Sequence, residues 1–232
     1  MITIRPSHER GRANHGWLDS RFSFSFADYY DPDHVQFGPL RVLNEDWIEP
    51  GAGFPSHPHR DMEIITIVLA GAVAHRDSTG GEGVTQPGEV QVLTAGTGVV
   101  HSEFNPSDAE RLHLLQIWIM PDARGHTPRY DQKRFGTDAR RNVLLPVVSG
   151  KGDGGTLRIH QDATLYVSTL DKGKALAHPL RAGRRAYLLV VGGAVEVNGL
   201  SLGAGDAAQV EGEPGLELKS TAPADLVLIE LP

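Results

Sequence analysis

The sequence predicts an all-β protein built from two β-domains. Its 232 residues include 27 glycines and 15 prolines, and this content indicates many turns and therefore many short strands. Runs rich in β-branched residues recur along the chain, and no segment shows a sustained helical period with caps at both ends. A chain of this length is long for one domain and sufficient for two of about 100 residues, each with its own core.

Three segments of the first half predict strands. Residues 63–75 (EIITIVLAGAVAH) are dense in β-branched side chains and carry a glycine suited to a turn. After the Pro-Gly turn at 87–88, residues 89–93 (EVQVL) alternate between polar and apolar. Residues 112–120 (LHLLQIWIM) form a nearly continuous apolar run, as expected of a buried strand.

Composition excludes several classes of function. The chain has no cysteine, which excludes disulfides, zinc ribbons, iron–sulfur clusters and thiolate catalysis. Its formal net charge of −7 leaves no basic face for nucleic acid, so no direct nucleic-acid binding is expected. The N-terminal residues lack the apolar core of a signal peptide, and the longest apolar stretch, 64–74, is too short to span a bilayer. We therefore expect a cytoplasmic monomer without membrane contact.

Four candidate metal ligands lie in two short pairs: His57 and His59 in GAGFPSHPHRDME, and His101 and Glu103 in AGTGVVHSEFN. The i, i+2 spacing places both members of a pair on the same face of a strand. Two such strands inside a barrel would bring three imidazoles and one carboxylate together and leave coordination positions open, as in a catalytic metal site. The donor set suits iron, nickel, manganese, cobalt or zinc.

The eight remaining histidines lie outside this paired pattern and are interpreted as non-ligands: His8, His15, His34, His75, His113, His126, His160 and His178. Phe54, Gln116 and Trp118 are interpreted as walls of a substrate pocket, and a plain core role is equally compatible with their positions.

An internal repeat indicates two copies of one unit. VLAGAVAH at 68–75 resembles VVGGAVEV at 190–197, and a glycine-bearing turn and a strand follow each. Aligning the copies places at the positions of the candidate ligands four residues that could not rebuild the site: Pro179, Arg181, Leu218 and Ser220. The polar, turn-rich region 121–155 predicts a boundary near Asp138. The expected domains are therefore 1–138, which binds metal, and 139–232, which lacks metal ligands.

Glycines and other residues frame both pairs in a recognisable way. Gly51, the histidine pair, Glu63 and Gly71 resemble the first motif of the cupin superfamily, although the first glycine falls one position late. The second motif is matched at Gly88, Gly98, His101 and Asn105, with Gly96 in place of its proline. The wording HPHRDMEI, TAGTGVVHSE and GWLDSRFSFSFADYYDP is similar to the pirin family through the first half of the chain. The whole chain resembles the bacterial pirins described as quercetin 2,3-dioxygenases.

This resemblance implies a bicupin, in which two antiparallel β-barrels of jelly-roll type pack face to face. It also implies one divalent metal per chain, usually non-haem iron, held by His57, His59, His101 and Glu103. In most metal-binding cupins the first-motif glutamate, here Glu63, is the ligand instead. Glu63 shares strand parity with the histidines but lies about 13 Å along an extended strand from His59, and curvature leaves it open as an alternative.

The activity that the resemblance implies is the opening of the heterocycle of a flavonol such as quercetin by dioxygen, with release of carbon monoxide. Glu103 would be the catalytic residue that accepts the proton of the 3-hydroxyl group. Two alternatives use the same ligands. One is a redox-sensing regulator that binds a transcription factor or a metabolic enzyme as its protein partner. The other is a cupin enzyme that acts on an unknown phenolic or enolisable metabolite.

Overall fold

The structure is a computed structural model that describes residues 1–232, and it confirms the predicted all-β fold. Strands β1 to β12 are Ile2–Arg5, Gly11–Asn14, Leu18–Phe22, Leu40–Ile48, Gly53–His59, Glu63–Ala70, Val73–Asp77, Glu82–Thr85, Glu89–Thr94, Val99–Phe104, Leu112–Ile119 and Arg129–Arg134. Strands β13 to β20 are Leu145–Ser149, Leu157–Arg158, Thr164–Leu170, Ala175–Pro179, Arg185–Val197, Leu200–Gly203, Ala207–Glu211 and Gly215–Leu231. The helical segments are two short 3-10 turns, Ser7–Glu9 and Thr137–Arg140. No helix is long and apolar enough to cross a membrane.

The chain divides into two compact units. The first unit comprises Gly11–Phe135 and Leu157–Gln161, and the second comprises Met1–Arg10, Gly136–Thr156 and Asp162–Pro232. The change of unit at residue 136 lies close to the expected boundary at 138. The N-terminus departs from the expected division, because β1 pairs antiparallel with β19 and its backbone hydrogen bonds place residues 1–10 in the second unit.

The first unit contains two antiparallel sheets. The larger has the order β12-β9-β6-β11-β4-β3-β2, and the smaller has the order β5-β10-β7-β8. The predicted segment 63–75 becomes β6 and β7, separated at Gly71. Gly71 has φ +74°, and a Cβ there would lie 2.9 Å from the carbonyl oxygen of Arg111, so glycine allows this turn. Apolar side chains of both sheets, including Val68, Val73 and Leu114, form a shared buried cluster.

The second unit is built on a sheet in which β1, β19, β17, β20, β15 and β13 follow one another. Strands β16 and β18 pair with β20 and β17 respectively. The repeat segment 190–197 lies within the single strand β17, which shifts register around Gly192 instead of turning. Of the positions aligned with the candidate ligands, Leu218 lies in the hydrophobic core and the hydroxyl of Ser220 donates to the carbonyl of Asp171.

Candidate metal centre

Three adjacent strands of the smaller sheet each carry a polar i, i+2 pair. The pairs are His57 and His59 on β5, His101 and Glu103 on β10, and His75 and Asp77 on β7. His101 lies directly opposite His57 on one side and opposite Asp77 on the other, and Glu103 lies opposite His75. Because side chains directly opposite one another share a face, this register collects the polar side chains on one face of the sheet.

The three predicted histidine ligands come together. One nitrogen from each of His57, His59 and His101 lies within 4.8 Å of the others, and their ring centroids are 4.5–4.9 Å apart. Burial, assisted by the charge of His57, lowers the pKa of His59 to about 4 and that of His101 to about 3. Both imidazoles are therefore neutral at physiological pH, which is the form that binds a metal ion.

The hydrogen bonds of two rings leave nitrogen lone pairs available. His57 Nδ1 lies 2.8 Å from the carbonyl oxygen of Pro55, so Nδ1 carries the proton and Nε2 is a free acceptor. His101 Nε2 is buried and has no hydrogen-bond partner. Leaving such a group unsatisfied is costly, and coordination would satisfy it. The donor set and these orphaned atoms fit a divalent cation.

Glu103 is held by donors from the opposite sheet. Its Oε1 accepts from Gln91 Nε2 at 2.6 Å and from Thr66 Oγ1 at 3.4 Å, and its Oε2 accepts from Gln116 Nε2 at 2.9 Å. The three donors lie side by side on β9, β6 and β11, since Thr66 pairs with both glutamines. Burial raises the pKa of Glu103 to about 7, and the hydrogen bonds oppose that rise. The carboxyl group can thus exchange a proton near neutral pH.

The position of Glu103 differs from that of the three histidines. A Glu103 oxygen clusters within 4.8 Å of nitrogens of His101 and His75, and His101 is the residue that this group shares with the histidine cluster. The strand pairing shifts register between His101 and Glu103. This irregularity places Glu103 opposite Phe54, whereas an unbroken antiparallel register would place it opposite Pro55.

His75 and Asp77 are residues that the sequence analysis missed as partners of the site. The sequence analysis counts His75 among the non-ligands outside the paired pattern, yet its Nδ1 lies 3.4 Å from Nδ1 of His101. Its Nε2 lies 2.9 Å from Oδ2 of Asp77. The signal was present, because HRD at 75–77 has the same spacing as HPH at 57–59 and HSE at 101–103.

Glu63, the alternative carboxylate, has other partners. It begins β6 in the larger sheet, where Oε2 accepts from Thr94 Oγ1 at 2.7 Å and Oε1 lies 3.1 Å from Nδ1 of His160. The backbone between β5 and β6 turns at Asp61, which has φ +48°. Strand parity counted from His59 therefore does not carry over to Glu63.

A cavity of about 560 Å³ opens onto the cluster. Its lining includes the three clustered histidines and Glu103, together with apolar side chains of which the largest are Trp17, Phe22, Phe26, Phe54 and Trp118. Gln116 also lines it, so all three predicted wall residues lie there. Trp118 packs edge-on against His59 with ring centroids 4.9 Å apart. The cavity thus combines aromatic walls with polar side chains, both at the cluster and at Ser20, Asn44 and Asp46.

A β-barrel unit with a histidine cluster on one inner face, joined to a second β-unit, defines a two-domain cupin. The chain belongs to the pirin family: the pirin family profile matches residues 3–119, and that of the quercetinase C-terminal cupin domain matches residues 146–231. It is 47% identical over 232 residues to a quercetin 2,3-dioxygenase of Escherichia coli, covering 100% of this chain and 99% of the relative. It is 41% identical over 231 residues to a pirin-like protein of Caulobacter vibrioides, covering 99% of each.

A solved structure has the same fold. The crystal structure of the bacterial pirin YhhW from Escherichia coli in complex with nickel(II) matches with a TM-score of 0.95 and 46% identity, over 100% of this chain and 99% of that one. These matches confirm the resemblance to pirins and the two-barrel cupin architecture.

Proposed function

We propose that this protein is a metal-dependent dioxygenase that opens the heterocycle of a flavonol such as quercetin with dioxygen and releases carbon monoxide. The observation that carries the proposal is the aromatic-walled cavity that ends at three clustered imidazoles and a buried carboxylate. Its volume lies in the range of small-molecule sites, about 300–1,000 Å³. The names of the relatives support the same activity.

In this proposal His57, His59, His101 and Glu103 hold one divalent ion per chain. Iron is the proposed resident metal, and the nickel bound by the related pirin makes nickel the first alternative. When bound, the ion supplies positive charge that acidifies the substrate hydroxyl group and prepares the electron-rich phenolate for dioxygen.

The chain's own residues orient the substrate and move its proton. The rings of Phe54 and Trp118 offer flat apolar surfaces for the aromatic rings of a flavonol. The carboxylate of Glu103 takes the proton of the 3-hydroxyl group, and Gln91 and Gln116 fix that carboxylate in place. A base with a pKa near the working pH is well matched to this task.

Two other functions would use the same ligands: redox-sensing regulation of a protein partner, and oxidation of another phenolic or enolisable metabolite. A concave, largely apolar cavity suits a small-molecule substrate, whereas a regulator needs a responsive surface patch. The cavity therefore favours an enzyme over a regulator, and the substrate panel below separates quercetin from other phenols.

The test is anaerobic reconstitution with iron(II) or nickel(II), followed by measurement of oxygen uptake and carbon monoxide release with flavonols and catechols. The loaded protein should release carbon monoxide from quercetin faster than metal-free protein or free metal. Loaded E103Q should keep most of its metal and react about 10² to 10⁴ times more slowly. Carbon monoxide release no faster than with free metal would reject the dioxygenase, and turnover of other phenols alone would support the unknown-metabolite alternative.

A further inference from the structure

We propose that Asp77 and His75 are positioning residues that fix the tautomer of His101, so that His101 Nε2 presents a lone pair to the metal. The inference rests on the metal centre of the proposed function. It assigns a role to the third i, i+2 pair of the sheet, which neither motif contains. Three side chains take part in order: the Asp77 carboxylate, the His75 ring and the His101 ring.

The Asp77 carboxylate fixes a proton on Nε2 of His75. Its Oδ1 accepts from the Thr79 backbone N–H at 2.7 Å, from the Thr79 hydroxyl at 2.6 Å and from the Gly81 N–H at 3.0 Å. Burial acts to raise the pKa of Asp77, but these hydrogen bonds and the one from His75 hold it below its usual value. An ionised carboxylate can only accept, so the nitrogen that faces Oδ2, Nε2 of His75, carries a proton.

His75 relays the hydrogen-bond direction from Asp77 to His101. In the neutral ring the one proton is on Nε2, the nitrogen that faces the Asp77 carboxylate at 2.9 Å. Its Nδ1 is therefore an acceptor. The group that faces it at 3.4 Å is Nδ1 of His101, which must be the donor in this long hydrogen bond. The side chains of His75 and Asp77 are fully shielded from solvent, so water does not compete for these bonds.

The hydrogen bond to His75 fixes the tautomer of His101. A neutral imidazole has one N–H, and that proton is on Nδ1. Nε2 must carry the lone pair, and it is the His101 atom that is buried without a partner. The carboxylate–histidine–histidine chain thus does for His101 what the Pro55 carbonyl does for His57. Second-layer partners of this kind orient a ligand and raise its basicity.

The ring of His75 is also held against rotation. It stacks on Tyr130 with centroids 4.1 Å apart and an angle of 4° between the planes. The Tyr130 hydroxyl donates to Gln132 at 2.8 Å and lies 3.3 Å from Oε1 of Gln91. Because Gln91 also holds Glu103, one packed network fixes both the tautomer of His101 and the position of the carboxylate.

The test reads tautomers directly in the metal-free, 15N-labelled full-length protein by long-range 1H–15N correlation. Wild type should show His75 protonated on Nε2 and His101 on Nδ1. In D77N the new amide can donate to His75, which reverses the chain and puts the His101 proton on Nε2. Nickel(II) affinity, measured by chelator competition, should fall about 10- to 100-fold.

A second pair of variants, H75Q and H75F, tests the proposal if D77N does not fold. In H75Q the amide can donate to Asp77 and accept from His101, so the tautomer and the affinity should be largely kept. In H75F neither bond is made, and both should be lost. E82Q, which removes an exposed carboxylate from the neighbouring β8, is the control and should match wild type.

A wild-type His101 protonated on Nε2 would overturn the proposal, as would unchanged tautomer and affinity in both D77N and H75F. Equal losses in H75Q and H75F, together with a nickel-induced change in the 15N shift of His75 Nδ1, would show instead that His75 is itself a ligand. These readouts do not use flavonol turnover. A protein with the expected tautomers that binds nickel but releases no carbon monoxide would therefore reject only the dioxygenase.

Discussion

The metal-free protein should lose stability as the pH rises towards neutrality, and Glu103 should be the cause. Burial raises the pKa of Glu103 from an ordinary value of 4.5 to about 7. Since each pKa unit corresponds to about 1.4 kcal/mol, ionising this carboxyl group costs the folded state about 3 kcal/mol. A group with a raised folded-state pKa contributes its full stability below the unfolded pKa, and that contribution is lost as pH rises to the folded pKa. The contribution of Glu103 to the free energy of unfolding should therefore fall between about pH 4.5 and about pH 7 and stay constant above that range.

E103Q removes the titrating group and should therefore remove this dependence of stability on pH. The glutamine keeps the size of the side chain, and one of its terminal atoms must now donate. The amide of Gln116 can rotate to accept that bond, because its Oε1 has only a 3.3 Å hydrogen bond to Thr66 to give up. The substitution should therefore cost little at pH 5 and leave the variant more stable than wild type at pH 8.

Urea denaturation of chelator-treated proteins at pH 5, 6, 7 and 8 measures the effect. The free energy of unfolding of E103Q relative to wild type should rise by about 2–3 kcal/mol between pH 5 and 8. E82Q, which removes an exposed carboxylate, should run parallel to wild type. If the E103Q and wild-type curves were also parallel, the raised pKa and the reasoning from burial would be wrong.

Three further predictions address other parts of the molecule. H59A and H101A should each lose most of the single bound metal seen by elemental analysis, and full stoichiometry in both would refute the ligand assignment. H160A should lower the free energy of unfolding by about 1–3 kcal/mol in urea, because the buried Glu63 loses the imidazole and keeps only the Thr94 hydroxyl and the backbone N–H of residue 160; an unchanged midpoint would contradict this. Purified protein should show no sequence-specific binding to duplex DNA at physiological salt, and salt-dependent nanomolar binding in a mobility assay would overturn the argument from charge.

The sequence predicted the histidine cluster because strand parity is a local property. His57 and His59 share one strand, His101 and Glu103 share another, and period-2 spacing fixes a common face within each strand. Which strands are neighbours is not local. That β7 lies beside β10, so that His75 faces Glu103 and Asp77 faces His101, follows from sheet order, and the HRD pattern alone did not identify a partner.

Glu63 shows the limit of inferring a shared strand face from even residue spacing. Counting in twos from His59 reaches Glu63 only if the strand continues, but β5 ends at His59 and β6 begins at Glu63 in the other sheet. The same limit applies to the N-terminus. Pairing of β1 with β19 joins residues about 200 positions apart, and nothing in the short sequence of β1 identifies its partner.

The donors of Glu103 belong to a third class that no local pattern reveals. Thr66 and Gln116 each interrupt an apolar run, and Gln91 is the central polar residue of the alternating strand EVQVL. A buried polar residue in such a run needs a partner, and here the three share one carboxylate across the barrel. The closing of the two sheets therefore satisfies the donors and positions the acid in one step. Replacing any one donor by an apolar residue would perturb the pKa of Glu103 as well as the packing, which makes these strands part of the site.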